Sequence, residues 1–281
     1  MTTTIVTGLG FPESPRWHDD ALWFVDVFRG RVMRTDADHT TAIVAEIDDH
    51  ASGMGFLPDG APLVVSMRKR RVLRLEPCGP SVHADLGALT AGYLNDMVVD
   101  GSGRAFVGAI ANAVDPGDGV GHDALVTVAP SGAAEVAANG VFRPNGMVVT
   151  PDRTTLIQAA TRRRELVAWS IGAEGELTGP RRWAATGRHT PDGICLDAEG
   201  AVWVAGLAEG SFIRVLPGGA VTQEIHLDGR WAIACALGGG SGRTLFMATA
   251  IPGRLPIQSH PDEPEGFIEA TDVSVPGAGW P

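Results

Sequence analysis

The chain has 281 residues, 44% of them hydrophobic, which is ample for a core and allows one domain or two by length alone. Thirty-three acidic residues against 22 basic ones give a formal net charge of −11, which argues against nucleic acid or an anionic membrane as a partner. The amino terminus has no basic segment leading into an apolar core, and no apolar run reaches membrane-spanning length, so a cytoplasmic protein is expected.

Thr3-Thr4-Ile5-Val6 opens the chain as a short strand. Glu13-Ser14-Pro15-Arg16-Trp17 then leads into the apolar run Ala21-Leu22-Trp23-Phe24-Val25-Asp26, and Arg31-Val32-Met33-Arg34 follows with the basic and apolar alternation of a half-exposed strand. A second unit runs from Gly53-Met54-Gly55-Phe56 through Leu63-Val64-Val65 to Arg71-Val72-Leu73-Arg74-Leu75. Three further units open alike, at Asn95-Asp96-Met97-Val98-Val99-Asp100, Asn145-Gly146-Met147-Val148-Val149-Thr150 and Asp192-Gly193-Ile194-Cys195-Leu196-Asp197. A sixth, Ala232-Ile233-Ala234-Cys235-Ala236-Leu237, matches through its cysteine. Second runs such as Ala105-Phe106-Val107-Gly108, Val202-Trp203-Val204-Ala205 and Leu245-Phe246-Met247-Ala248 are short, rich in β-formers and bounded by turn residues.

The unit anchors are therefore Glu13, Gly53, Asn95, Asn145, Asp192 and Ala232, about 40–50 residues apart, the period of a propeller blade. Six units predict an all-β, six-bladed β-propeller filling residues 1–281 as a single domain. Gly266-Phe267-Ile268-Glu269-Ala270-Thr271-Asp272-Val273 is expected to join the last blade, with the amino-terminal Thr3-Thr4-Ile5-Val6 beside it.

The first strand of a blade lines the central channel, so the anchors should face one another there. Glu13, Asn95, Asn145 and Asp192 carry oxygen donors, and two carboxylates with two amides suit a hard divalent cation. Pro191-Asp192-Gly193 also reads as a plain turn, as Pro58-Asp59-Gly60 does. Register separates the two, because Asp59 falls level with the Asp100 and Asp197 hairpin turns whereas Asp192 stands at a strand start. Cys78, Cys195 and Cys235 are too few and odd in number for a disulfide framework and read as free thiols. His50, His122 and His189 fall in loops and read as solvated side chains, Arg68-Lys69-Arg70-Arg71 and Arg162-Arg163-Arg164 as exposed turns, and the tryptophans, Trp231 included, as blade core.

Glu13-Ser14-Pro15-Arg16-Trp17, Leu94-Asn95-Asp96 with Asp100-Gly101-Ser102-Gly103-Arg104, Pro144-Asn145-Gly146-Met147 and Pro191-Asp192-Gly193 together resemble the senescence marker protein/gluconolactonase/luciferin-regenerating enzyme family, to which regucalcin belongs. The resemblance implies a six-bladed propeller with one divalent metal ion, Ca²⁺ first, with Mg²⁺, Mn²⁺ or Zn²⁺ as alternatives. Position by position it implies Glu13, Asn145 and Asp192 as metal ligands and Asn95 as a contact to the ion or the substrate beside it. It further implies lactone hydrolysis with Asp192 as the base and Glu13 as a structural ligand.

Sugar-lactone members carry an Arg two residues before the channel Asn, where this chain has Tyr93, and an acid in the loop that here reads Ala109-Ile110-Ala111-Asn112-Ala113. With Tyr93 against the substrate and Met54 at the mouth, the expected substrate is a lactone or ester less polar than a sugar lactone. The alternatives are a non-catalytic cation- or ligand-binding regulatory propeller, and the same metal site used for phosphotriester, epoxide or biosynthetic chemistry. A small molecule is the expected partner, with the chain a monomer or weak homodimer.

Overall fold

The computed structural model describes residues 2–111, 123–252 and 265–279. These form six four-stranded antiparallel sheets. The innermost strands of the six are Pro12–His18, Ala51–Phe56, Tyr93–Val99, Pro144–Val149, Pro191–Leu196 and Trp231–Gly238. Each packs against the innermost strands of the sheets before and after it, and the first packs against the last, closing a ring. The fold is the expected six-bladed β-propeller.

Blades one to five each take four consecutive strands. Blade six is built from both ends of the chain: Trp231–Gly238, Thr244–Ala250 and Gly266–Asp272 are completed by the amino-terminal Thr3–Leu9. Thr3 pairs with Ala270, Thr4 with Glu269 and Val6 with Ile268, so the expected closure is present. Radial repetition leaves only short outer edges open to solvent.

The core fills the wedges between neighbouring sheets, where the pleat turns alternate apolar residues inward. Phe24, Met54, Phe56 and Val64 are fully buried between blades one and two, and Trp203, Phe212 and Met247 between blades five and six. Trp17 stacks on Phe246 with ring centroids 5.4 Å apart, joining blade one to blade six. Met54 thus belongs to the core, not to the channel mouth, because its strand turns that side chain between the sheets.

Around the channel the inner strands approach at backbone distance. A β-carbon at Gly146 would stand 2.5 Å from Ile194 N, and one at Gly193 would stand 2.6 Å from Ala234 Cα. These glycines follow the anchors Asn145 and Asp192, so glycine there serves close packing of strand on strand. Among the described residues no helix is long and apolar enough to cross a membrane.

Candidate metal and substrate site

The pairing of each innermost strand with the next slips by one residue close to the anchor. A bulge leaves residues unpaired and re-aims their side chains, and bulges concentrate beside functional sites. Here the same bulge recurs in all six blades; it leaves Asn95, Asn145 and Asp192 unpaired and falls directly after Glu13 and Ala232. It also corrects one anchor. Ala51 pairs with Ser66 as Pro12 pairs with Asp26, so the residue of blade two level with Glu13 is Ser52, not Gly53. Gly53 lies one place on, where an added β-carbon would meet the Asp96 carbonyl carbon at 2.6 Å.

Glu13, Ser52, Asn95, Asn145 and Asp192 line one cavity of about 150 Å³. Tyr93, Arg143 and Thr161 add polar groups, while Phe11, Val27, Met67, Ile110, Leu207 and Trp231 form its apolar wall. Trp231 packs against the core, as expected, and also lines the cavity, since it begins its strand on the channel side. His122 and the loop positions Asn112 and Ala113 lie outside the described residues. His189 is buried, with its ring nitrogens on the Thr186 carbonyl at 3.2 Å and Glu224 at 3.3 Å, and it does not line the cavity. His50 sets its ring edge against Phe28, 5.5 Å between centroids.

Hydrogen bonds between blades fix the polar floor. Ser52 Oγ donates to the Asn95 carbonyl at 2.7 Å, Asn95 Nδ2 to the Pro144 carbonyl at 3.1 Å, and Thr161 Oγ1 to the Pro191 carbonyl at 2.8 Å. Asn145 Nδ2 donates to Asp192 Oδ1. With their amide nitrogens so engaged, the oxygens of Asn95 and Asn145, which have no hydrogen-bond partner among the described residues, are available to the cavity. Ser14 N donates to Glu13 Oε2 at 3.0 Å, and Ser14 Oγ donates to Asp96 Oδ1 at 2.9 Å, from a left-handed backbone with φ of 48°.

Burial dominates the electrostatics. It pushes the Asp192 carboxyl up to about 8, reinforced by Asp96 and opposed by Arg143 and the Asn145 bond. Burial likewise holds Glu13 well above the usual carboxylate range, with Asp192 and then Asp96 adding repulsion. Two buried carboxyls that resist ionising together form a site a divalent cation would relieve. Among the described residues no three His, Cys, Asp or Glu side chains converge, so a cation held by Glu13 and Asp192 would draw its further oxygens from amides or hydroxyls. Such an all-oxygen set suits Ca²⁺, Mg²⁺ or Mn²⁺ better than a thiophilic metal.

A second cavity of about 140 Å³ is lined in part by Trp17, Met147, Cys195 and Cys235 and by no carboxylate. Cys195 Sγ lies 3.6 Å from Cys235 Sγ, both as free thiols, and burial pushes the Cys195 thiol up. Cys78 is free and exposed.

Tyr93 brings no charge to the position two residues before Asn95, but the Arg143 guanidinium enters the same cavity from blade four, and its Nη2 donates to the Tyr93 hydroxyl at 3.2 Å. Arg143 is two residues before Asn145 just as Tyr93 is two before Asn95, so the charged donor has moved by one blade.

A six-bladed propeller whose channel gathers two carboxyls and two amides at one cavity defines the class. Residues 11–251 match the SMP-30/Gluconolactonase/LRE-like region, and the chain belongs to that family. It is 27% identical over 283 residues to 6-deoxy-6-sulfogluconolactonase of Pseudomonas putida, covering 96% of this chain and 93% of that protein. Its fold is similar to a luciferin-regenerating enzyme, with TM-score 0.81, 17% identity and coverage of 99% and 97% of the two chains. It is equally similar to a calcium-binding protein, regucalcin, from Agrobacterium tumefaciens, with TM-score 0.81, 18% identity and coverage of 99% and 95%.

Proposed function

We propose that the chain is a divalent-cation-dependent hydrolase of a lactone or related ester, working in the cavity at the propeller axis. The observation that carries this reading is the convergence of Glu13, Asn95, Asn145 and Asp192 from four separate blades. Glu13, Asn145 and Asp192 would hold the ion, Ca²⁺ before Mg²⁺, Mn²⁺ or Zn²⁺, with Asn95 beside it. Bound there, the cation supplies positive charge against the oxyanion that develops as an ester opens.

The remaining steps belong to the chain's own groups. Asp192 takes a proton from the attacking water, whose oxygen bonds to the carbonyl carbon. The bond from that carbon to the ring oxygen breaks, and the proton passes to the leaving alkoxide, giving a hydroxy acid. Asn95 and Tyr93 orient the substrate, and Glu13 serves as a ligand. The wall of Phe11, Val27, Met67, Ile110, Leu207 and Trp231 suits a ring with hydrocarbon faces and fewer hydroxyls than a sugar lactone. A single copy of the chain supplies every group named.

Kinship with a protein named as a lactonase supports this chemistry. A second reading, a non-catalytic cation-binding propeller, is favoured by likeness to a protein described as calcium-binding. Assay of lactones, aryl esters and phosphotriesters with Ca²⁺ and with chelator separates them. Cation-dependent lactone opening supports the hydrolase. Cation binding without turnover of any of these supports the second reading, and turnover of the phosphotriester alone moves the same site to another reaction.

A further inference from the structure

Among the described residues Arg143 is the one basic side chain lining the cavity of Glu13 and Asp192. It is half-buried and forms no ion pair among the described residues, whereas its neighbour Arg163 pairs with Glu165 at 3.6 Å. A guanidinium has five N–H donors in a planar fork matched to carboxylate, sulfonate or phosphate oxygens. One donor is spent on the Tyr93 hydroxyl at 3.2 Å, which fixes the fork's direction and leaves the others to the cavity.

The backbone that presents this side chain is built for the purpose. Asp123 accepts Ala111 N at 2.9 Å and Arg143 N at 2.7 Å, clamping blade three to the entry of blade four. Arg143 itself sits at φ of 50°, a left-handed conformation that an L residue with a long side chain rarely adopts. Strain of this kind persists where the surroundings over-determine it, and it collects at ligand-binding positions. The Asp123 carboxylate holds the backbone here, so the guanidinium is set at the cavity independently of any local preference.

Charge points the same way. A divalent ion would balance Glu13 and Asp192, and the Arg143 guanidinium, which has no ion pair among the described residues, would then be available on the substrate side. The apolar wall offers that charge no partner. An anionic group on the substrate would.

We propose that Arg143 selects a lactone bearing an anionic substituent, and that Tyr93 is its positioning residue. The proposal rests on the hydrolase reading for the word lactone, and on the Arg143–Tyr93 geometry for the anion.

The test uses γ-butyrolactone carrying a ring carboxylate against its carboxamide, with tetrahydrofuran carboxylate as a ligand that cannot be hydrolysed. Wild type should favour the carboxylate over the carboxamide in kcat/KM. Arg143→Gln should lower kcat/KM for the carboxylate about tenfold to a hundredfold more than for the carboxamide, the range of a hydrogen bond to a charged group. It should weaken tetrahydrofuran carboxylate binding, read by calorimetry, by a similar factor. Arg143→Lys should recover part of both, since it restores the charge without the fork, and Tyr93→Phe should raise KM for the carboxylate more than it lowers kcat.

Equal losses on carboxylate and carboxamide would overturn the proposal, and so would equal wild-type rates on the two; the hydrolase reading would survive either. Arg143-dependent binding of tetrahydrofuran carboxylate with no lactone opened would do the reverse, keeping the anion site and removing the hydrolase.

Discussion

Asn145 Nδ2 donates to Asp192 Oδ1 across the gap between blades four and five. The amide thereby turns its oxygen into the cavity and holds the carboxylate in one orientation, so two proposed ligands of one ion also set each other's geometry. Both depend on the bulge that frees their strand starts, and on glycine in the next position of each strand.

The first prediction separates base from ligand. Asp192→Asn keeps the shape of the pair but removes the proton acceptor, so hydrolysis should fall by about 10²-fold or more. Excess Ca²⁺ should not restore it. Glu13→Gln should act through cation affinity, and excess Ca²⁺ should restore most of its rate. Equal rescue of both variants would reduce Asp192 to a ligand.

The second concerns pH. In cation-free protein the Asp192 carboxyl stands at about 8 when folded, against an ordinary value of 3.8. A carboxyl raised on folding binds its proton more tightly in the native state, so its stabilising effect is full in acid and is lost as pH rises from about 4 to 8. Chelator-treated protein should lose Tm across that window, less steeply in Asp192→Asn. Ca²⁺ affinity should climb over the same range as protons are displaced. Calorimetry in two buffers of different ionisation heat measures the proton release, and its absence at pH 6 would contradict the buried carboxyl pair.

A third prediction sets stability against recognition at Arg143. The left-handed backbone costs an L residue roughly 1–2 kcal/mol, and glycine forfeits about 0.5–1 kcal/mol through its freer unfolded chain. Arg143→Gly should therefore keep or raise Tm while losing the preference for an anionic substrate. A clear drop in Tm would show that the guanidinium is a structural strut.

The fourth tests the close approach of the inner strands. Gly193→Ala puts a methyl group 2.6 Å from Ala234 Cα with no backbone strain to relieve, so overpacking of about 1–3 kcal/mol is expected. Thermal unfolding reads it directly. An unchanged Tm would mean that the ring can expand at that point.

Most of this was legible in the chain because the repeat is written in residues that face the axis. Glu13, Asn95, Asn145 and Asp192 share a register that survives translation into structure. Ser52 did not, because a bulge shifts pairing by one place and a glycine beside it resembles the glycines that follow Asn145 and Asp192. Arg143 is hidden for a different reason: it lies outside the Asn95 motif, and only the fold brings it beside Tyr93 from another blade. Of the positions two before each anchor, Phe11, His50, Tyr93, Arg143, Thr190 and Arg230, two are arginines, and Arg230 is drawn to Glu269 at 3.9 Å while Arg143 lines the cavity. Trp231 could not be assigned this way, since an aromatic residue at a strand start serves core and channel equally well.

Because strand Thr3–Leu9 is the outer edge of blade six and pairs with Gly266–Asp272, it waits for a partner made after the five other blades. A nascent chain leaving the ribosome can stack five blades in turn, yet blade six stays incomplete until Gly266–Asp272 emerges. The proposed cation site, with Glu13 in the first blade and Asp192 in the fifth, would then be complete only after blade six is, and a chain truncated before Gly266 would expose Thr3–Leu9 as an unpaired edge.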